Sequence, residues 1–166
     1  MTWYSRHAYG AVMDNGLVLW HHKRALVATL SYEKQVERFD RLDPQLKALA
    51  VTAVAACIGC SWCMDFGHYV AHGQGLDLAK ISGAAGWRDS SRYDATDRAV
   101  LEFAEAATAT PPEVTDEMVS RLNGILGVPA VVELATMVAL ENQRSRFNSA
   151  LGLTSQGFTD RCELPQ

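Results

Sequence analysis

The sequence predicts an all-α fold, for two reasons. Apolar residues recur at helical spacing along most of the chain, whereas no segment alternates apolar and polar residues as a half-buried strand would. Glycine or proline also follows the periodic segments, where helices usually end. Alanine is abundant in these segments and lets helices approach closely, but it leaves modest side chains for a core. We therefore expect a helical bundle in an oligomer whose subunits complete each other's core.

The N-terminal part of the chain is expected to lead into the bundle. Residues 1–16 contain glycines and no clear periodicity, so we expect a loop or an arm there. Residues 17–38 show helical periodicity with charged residues between the apolar ones, which predicts a helix with an interruption near Ser31. We expect a single domain over residues 1–166, with its core at about 17–157 and an arm at each end.

Two helices meet at a glycine further along the chain. Apolar residues from Pro44 to Cys57 fall on one face of a helix, for which Asp43 is the expected N-cap. Gly59 ends this helix, and a second helix is predicted from Cys60 to about His72. The first turn of the second helix therefore begins at a cysteine.

The remaining helices are predicted from periodicity, caps and prolines. After a short segment at 76–81 and a glycine-containing connection, helices are expected over residues 96–108, 115–127 and 129–151. Pro111 and Pro112 stop the first of these helices, and Thr115 is the expected N-cap of the second. No strand is required anywhere in this arrangement.

Composition excludes several classes of function. The chain has 166 residues, of which 48% are hydrophobic and 20% are charged, which suits one globular core. Its net charge of −4 and isoelectric point near 5.7 give no general electrostatic reason to bind nucleic acid or an anionic membrane. The chain shows neither a signal peptide nor a run of about 18 apolar residues, so we expect a cytoplasmic protein without a membrane partner.

One motif indicates a specific chemistry, namely the CxxC formed by Cys60 and Cys63. Two thiols at the first turn of a helix lie near free N–H groups and the positive end of the helix dipole, which favour a thiolate. A disulfide between them closes a very short loop and adds little stability through chain entropy, so it would serve chemistry rather than stability. We therefore expect a redox pair, against the alternative of two buried, inert thiols.

Cys57 and the nearby histidines are weighed against simpler roles. Cys57 falls on the core-facing side of its helix, so we expect a packed small hydrophobic residue rather than a second disulfide with Cys60. His68 and His72 could bind zinc together with the cysteines, but all of them lie on one continuous helix and cannot converge on a tetrahedral ion. We expect no metal and no other cofactor. His68 is either a surface or interface histidine or a catalytic one.

These motifs together resemble the carboxymuconolactone decarboxylase and alkylhydroperoxidase D-like superfamily over about residues 17–157. The resemblance rests on segments distributed along the chain: Leu42-Asp43-Pro44, Gly59-Cys60-Ser61-Trp62-Cys63-Met64-Asp65, Trp87-Arg88-Asp89-Ser90, Thr108-Ala109-Thr110-Pro111, Glu141-Asn142, Arg146-Phe147-Asn148 and Ala150-Leu151-Gly152-Leu153. It implies an all-helical fold assembled into dimers, trimers or hexamers, with the sites near subunit contacts.

The resemblance also implies roles for the two cysteines. In the peroxidase members the second cysteine, here Cys63, attacks the peroxide, and the first, here Cys60, resolves the resulting sulfenic acid. Those members also use a glutamate twelve residues before the first cysteine and a histidine four residues after the second. These two positions are Ala48 and Gly67 here, and His68 lies about 100° further around the helix.

The missing glutamate and histidine leave the proton relay open. A positioned acid or base typically contributes about 10²- to 10⁴-fold in rate, so without a substitute the peroxidase would be slow. Besides His68, the candidate bases are Asp65, Glu133 and Glu141, which folding or another subunit would have to bring to the thiols.

The sequence thus predicts a thiol-dependent peroxidase that reduces hydroperoxides with Cys60 and Cys63. His68 is the third candidate catalytic residue, and a small thiol or a protein is the expected reductant. One alternative is a cofactor-free decarboxylase or lactone-processing enzyme, in which Arg144 and Arg146 would hold a small carboxylate. Another is a redox sensor that does not turn over.

Overall fold

The computed structural model describes residues 5–7 and 10–163, and the regular structure in this part of the chain is helical throughout. Its helices are α1 (Asp14–Trp20), α2 (Lys23–Val36), α3 (Pro44–Ile58), α4 (Ser61–Gly73), α5 (Leu78–Gly83), α6 (Ala95–Thr108), α7 (Asp116–Leu126) and α8 (Val128–Ala150), with 3₁₀ helices at Ala84–Asp89 and Thr159–Glu163. The predicted all-α class is therefore confirmed. Across the described residues, none of the helices combines the length and apolar character needed to span a membrane.

Residues 1–40 form one compact unit, in which the helix breaks at a different place from the predicted one. α1 and α2 are separated at His21 and His22. His22 has a non-helical backbone (φ −131°, ψ 86°), and its Nδ1 accepts a hydrogen bond from the Ala25 N–H at 3.1 Å, so it caps α2. The expected interruption near Ser31 is wrong, because that residue lies inside α2.

The predicted N- and C-terminal arms are only partly described. α1 begins at Asp14, so the last residues of the arm expected at 1–16 are helical. Residues 1–4, 8, 9 and 164–166 lie outside the described residues. Large apolar side chains of α1 and α2 are exposed, namely Leu17, Trp20, Val27 and Leu30. The single domain and the oligomer expected from the sequence both stay predictions.

Residues 41–166 form a second compact unit, in which α3 packs against α6 and α8. Each of these three helices contributes buried apolar side chains to one core, namely Leu49 and Val54 of α3, Val100 and Leu101 of α6, and Leu134 and Val138 of α8. Buried alanines such as Ala50, Ala53 and Ala104 lie among them. The apolar faces predicted from the sequence are therefore the faces that pack together.

Caps at both ends of α3 determine where α4 begins. Asp43 Oδ1 accepts hydrogen bonds from the N–H groups of Gln45 at 2.8 Å and Leu46 at 3.2 Å, which confirms the predicted N-cap. Gly59 ends the helix with a left-handed backbone (φ 79°), a conformation that glycine adopts at little cost. The chain then enters α4 at once, with Cys60 at its N-cap.

Candidate active site

The two cysteines of the CxxC form a disulfide at the start of α4. Their Cα atoms are 5.3 Å apart, and only 2% of Cys60 and 7% of Cys63 is exposed. Cys60 Sγ accepts a hydrogen bond from the backbone N–H of Cys63 at 3.2 Å and so occupies the N-cap position of α4. In the reduced protein this N–H and the positive end of the helix dipole favour a thiolate at Cys60. The structure thus brings the two predicted cysteines together.

One face of α8 supplies polar groups to the sulfur of Cys63. The Ser145 hydroxyl oxygen lies 3.3 Å from Cys63 Sγ, and Asn148 Nδ2 donates to the same sulfur at 3.3 Å. Asn148 Nδ2 is 3.9 Å from Cys60 Sγ, so these groups favour Cys63 over Cys60. Asn148 is enclosed by protein, and in such low-dielectric surroundings its hydrogen bond to a charged sulfur is strong.

A carboxylate lies behind Ser145. Glu141 Oε1 accepts a hydrogen bond from the Ser145 hydroxyl at 2.8 Å, and Glu141 Oε2 lies 3.3 Å from Arg144 Nη1. Only 2% of Glu141 is exposed, and a buried carboxylate is costly unless it is paired and hydrogen-bonded. The contacts therefore run without interruption from Arg144 through Glu141 and Ser145 to Cys63.

His68 has a different neighbour. Its Nδ1 lies 3.3 Å from the Ser82 hydroxyl oxygen, and its ring lines an open cleft of about 220 Å³ between α3, α4 and α5. Within the described part of the chain, none of its contacts joins the ring to Cys60 or Cys63, and the catalytic role of His68 stays a prediction. Residues 5–7 and 10–163, which the structure describes, contain no group of three or more His, Cys, Asp or Glu side chains arranged to hold a metal ion.

Glu133, one of the candidate bases, is paired on another side of the core. Lys47 Nζ lies 2.5 Å from Glu133 Oε1, and the backbone N–H of Arg41 donates to Oε2 at 2.7 Å. Burial raises the pKa of Glu133, but the hydrogen bonds from Lys47 and Arg41 outweigh it and keep the pKa below its ordinary value. Glu133 therefore stays ionised and links α8 to the residues that precede α3.

Asp65, another candidate base, holds the C-terminal segment, defined as residues 155–159. Its carboxylate accepts five hydrogen bonds from that segment, donated by the backbone N–H groups of Gln156, Phe158 and Thr159 and the hydroxyls of Ser155 and Thr159. Burial alone raises the pKa of Asp65, but these hydrogen bonds, led by the backbone N–H groups of Thr159 and Phe158, lower it from 3.8 to about 2. Asp65 is therefore a structural acceptor.

Asp65→Asn is expected to lower the free energy of unfolding by about 2 kcal/mol at neutral pH, because a neutral amide cannot accept all of these hydrogen bonds. The pKa of Asp65 is lower in the folded state, so its contribution is complete above its ordinary pKa of 3.8 and is lost as the pH falls through about 2. Urea unfolding at a series of pH values should show the two proteins converging across that window.

The exposed Asp89 supplies the matched control for this measurement. Asp89→Asn should unfold like the wild type at every pH. A difference between wild type and Asp65→Asn that persists unchanged down to about pH 2 would contradict the assignment of Asp65 as an ionised acceptor.

Cys57 is exposed, so the prediction that it packs in the core is wrong. It lies in the last turn of α3, where the neighbouring helices leave a cleft of about 390 Å³ that Glu105, Thr108 and Arg146 also line. Partial burial raises the pKa of the Cys57 thiol, and the negative charge of Glu105 raises it further. Cys57 is therefore a weak nucleophile at neutral pH. Cys60 forms its disulfide with Cys63 and not with Cys57.

Comparison with known proteins agrees with the fold and the motif. Residues 23–106, just over half of the chain, match the model of the carboxymuconolactone decarboxylase family. The chain belongs to the carboxymuconolactone decarboxylase family. It is also 30% identical over 168 residues to Uncharacterized protein YnjA of Escherichia coli (strain K12), an alignment that covers 99% of this chain and 90% of that relative.

Solved structures share the fold of this carboxymuconolactone decarboxylase family member. A peroxidase-related protein from Ralstonia eutropha, described as an alkylhydroperoxidase AhpD core, superposes with a TM-score of 0.83 at 17% identity, covering 99% of this chain and 88% of that one. The debrominase Bmp8 superposes with a TM-score of 0.82 at 20% identity, covering 95% of this chain and 84% of that one. The all-α, AhpD-like fold expected from the resemblance is confirmed.

Ser145 and Asn148 belong to the candidate site of this family member, although the sequence patterns assigned them no role. Together with Glu141 they are spaced i, i+4 and i+7, which places them on one face of α8. A row of polar residues at that spacing, continuing the core-facing side of the same helix, is the signal that could have found them. Of the candidate carboxylates, Glu141 is the one that the structure connects to Cys63.

Proposed function

We propose that this family member is a thiol-dependent peroxidase that cycles between the Cys60–Cys63 disulfide and the dithiol. The observation that carries the proposal is the setting of the pair: Cys60 Sγ caps the first turn of α4, and Cys63 Sγ contacts Ser145 and Asn148 on the polar face of α8. This setting stabilises a thiolate, which is the nucleophile in thiol chemistry. The peroxidase-related protein with the same fold supports the same reaction class.

The proposed reaction begins with the Cys63 thiolate and a hydroperoxide. An S–O bond forms as the O–O bond breaks, and the departing alkoxide takes a proton to become an alcohol, so the sulfur is oxidised to a sulfenic acid. Cys60 then attacks the Cys63 sulfur, an S–S bond forms, and the sulfenic oxygen leaves as water. Two thiols of a small dithiol or of a reductase protein return the disulfide to the dithiol.

The proposed cycle needs a reducing compartment. We place the protein in the cytoplasm, where thiol reductants keep such pairs reduced between turnovers. The buried position of both sulfurs favours a small peroxide over a bulky oxidant.

The decarboxylase alternative has less support from the site. Arg144 lies against Glu141, and Arg146 Nη2 lies 3.5 Å from the Thr108 carbonyl oxygen and 3.4 Å from the Thr110 hydroxyl oxygen. A carboxylate substrate would therefore compete with protein groups for both arginines. A redox sensor would form the same Cys60–Cys63 disulfide as a peroxidase but would not consume hydroperoxide repeatedly.

Hydroperoxide consumption by the reduced protein, with excess dithiol present, tests the proposal. Sustained consumption supports the peroxidase, whereas one stoichiometric oxidation without turnover supports the sensor. Carbon dioxide release from an acidic lactone that survives loss of both thiols supports the decarboxylase. Because Bmp8 is described as a debrominase with 2,3,4-tribromopyrrole bound, a bromopyrrole belongs in the same assay as a second electrophile.

A further inference from the structure

We propose that Ser145 and Glu141 form the proton relay of Cys63. They would take over the role of the glutamate and the histidine of the peroxidase members, whose positions are Ala48 and Gly67 in this chain. The inference rests on the proposed function, because it assigns the group that takes and returns the proton during thiol chemistry at Cys63. Ser145 touches the reacting sulfur, and Glu141 acts through Ser145.

The hydrogen-bond geometry gives the relay its direction. A serine hydroxyl has one hydrogen to donate and lone pairs with which to accept. A carboxylate oxygen is a stronger acceptor than sulfur, so the hydroxyl donates its one hydrogen to Glu141 Oε1 (2.8 Å) rather than to Cys63 Sγ (3.3 Å). The lone pairs of Ser145 then receive the S–H of the reduced Cys63, and a proton can pass from sulfur to carboxylate through one hydroxyl.

The same relay serves both chemical steps. In the first step the Cys63 proton moves to Ser145 while the Ser145 proton moves to Glu141, and the thiolate forms an S–O bond as the O–O bond of the peroxide breaks. The alkoxide takes its proton from water, and the hydroxide that this leaves takes the proton of Cys60. In the second step Cys60 attacks as a thiolate, an S–S bond forms, and the S–O bond breaks. Glu141 returns its proton through Ser145 to the departing hydroxide, which leaves as water.

The neighbours of the relay fit these roles. Asn148 Nδ2, at 3.3 Å from Cys63 Sγ, has no proton to give up at neutral pH and so stabilises the thiolate without taking part in proton transfer. Arg144 Nη1 lies 3.3 Å from Glu141 Oε2, so an arginine charge lies beside the carboxylate that accepts the proton. Asp65, on the same helix as Cys63, is bound to the C-terminal segment. The charged groups that these contacts connect to Cys63 are therefore Glu141 and, beyond it, Arg144.

A relay can be distinguished from a purely electrostatic or structural role. A negative charge near Cys63 disfavours the thiolate, so by electrostatics alone Glu141→Gln would make the thiol ionise at lower pH and react faster. A relay predicts the opposite for the rate, because glutamine can still accept the Ser145 hydrogen bond but cannot take a proton. The informative combination is a thiol that ionises more easily and yet reacts more slowly.

The experiment measures the rate and the ionisation separately. Reduced wild type, Glu141→Gln, Ser145→Ala and Ser149→Ala are each mixed with one equivalent of hydroperoxide, and disulfide formation is followed. Ser149 is an exposed serine on the same helix and is the matched control. Thiolate absorbance is then titrated in chains that carry C57S, C60S and C162S, which leave Cys63 as the one cysteine of four, with and without Glu141→Gln.

We expect oxidation to slow by about 10²- to 10⁴-fold in Glu141→Gln and Ser145→Ala and to stay unchanged in Ser149→Ala. The titration midpoint of Cys63 should fall in Glu141→Gln, because the two groups titrate as a coupled pair. Glu141→Gln that oxidises as fast as the wild type would overturn the relay while leaving the peroxidase intact. A wild type that is inert to peroxide would refute the proposed function, whereas an unchanged midpoint would show that Glu141 is not coupled to Cys63 and would overturn the relay.

Discussion

Cys63→Ser is expected to abolish hydroperoxide turnover, with a loss of roughly 10³-fold or more. The reason is that a hydroxyl at this position is far less acidic than a thiol and cannot be oxidised by a peroxide. Serine is close to cysteine in size, and Ser145 and Asn148 can still hydrogen-bond to its oxygen, so the fold should persist. Circular dichroism of the variant should therefore match the wild type while consumption of hydroperoxide stops.

Cys60→Ser should separate the two chemical steps. It keeps an N-cap acceptor for α4, because serine is a favoured N-cap residue. Cys63 should still be oxidised once, but without its partner it should stop at the sulfenic acid, which a dimedone-type probe and mass spectrometry detect. The exposed Cys57 is the matched control, and Cys57→Ser should turn over like the wild type. Full turnover in Cys63→Ser would contradict the assignment of the nucleophile.

Phe158→Ala is expected to lower the free energy of unfolding by about 3–5 kcal/mol, the largest stability effect that we predict. Phe158 is 0% exposed although it lies beyond the last α-helix. Its ring centroid is 6.1 Å from that of Trp62, 5.2 Å from Phe66 and 5.8 Å from Tyr69, all on α4. Truncation therefore removes the apolar contact that holds the C-terminal segment against the helix that carries both cysteines.

Urea unfolding followed by tryptophan fluorescence measures this effect, because Trp62 reports on the affected contact. Val132→Ala is the control, since Val132 is 60% exposed and its truncation should cost well under about 1 kcal/mol. A loss of less than about 1 kcal/mol in Phe158→Ala would show that the burial of this ring is not what holds the C-terminal segment against α4.

Local signals in the sequence account for most of the fold. The caps at Asp43 and Gly59 involve residues close together in the chain, so the end of α3 and the start of α4 could be predicted from spacing and residue type. The break between α1 and α2 lies at His22 rather than near Ser31, because its cause is a histidine side chain that acts as the N-cap acceptor. Histidine is not among the residues preferred at N-caps, so the sequence does not predict this role.

The candidate site likewise has one part that local sequence predicts and another that only the folded chain determines. The pairing of Cys60 with Cys63 is a contact within one helical turn, and the spacing of the motif predicts it. The contact between Ser145 and Cys63 joins residues 82 positions apart, and it depends on how α8 packs in the folded chain. Periodicity could place Glu141, Ser145 and Asn148 on one face of α8, but only the fold shows what that face meets. Cys57 illustrates the same limit. Periodicity places it in line with the buried residues of α3, but the neighbouring helices leave an open cleft beside it.

The peroxidase is tested most directly by the rate at which reduced wild-type protein, with dithiol in excess, consumes a small hydroperoxide, combined with peptide mapping of the oxidised chain. We expect sustained turnover and a disulfide that joins Cys60 to Cys63, both unaffected by Cys57→Ser. Consumption no faster than that of the dithiol alone, or an oxidised product that joins Cys57 to another cysteine, would contradict the proposed function.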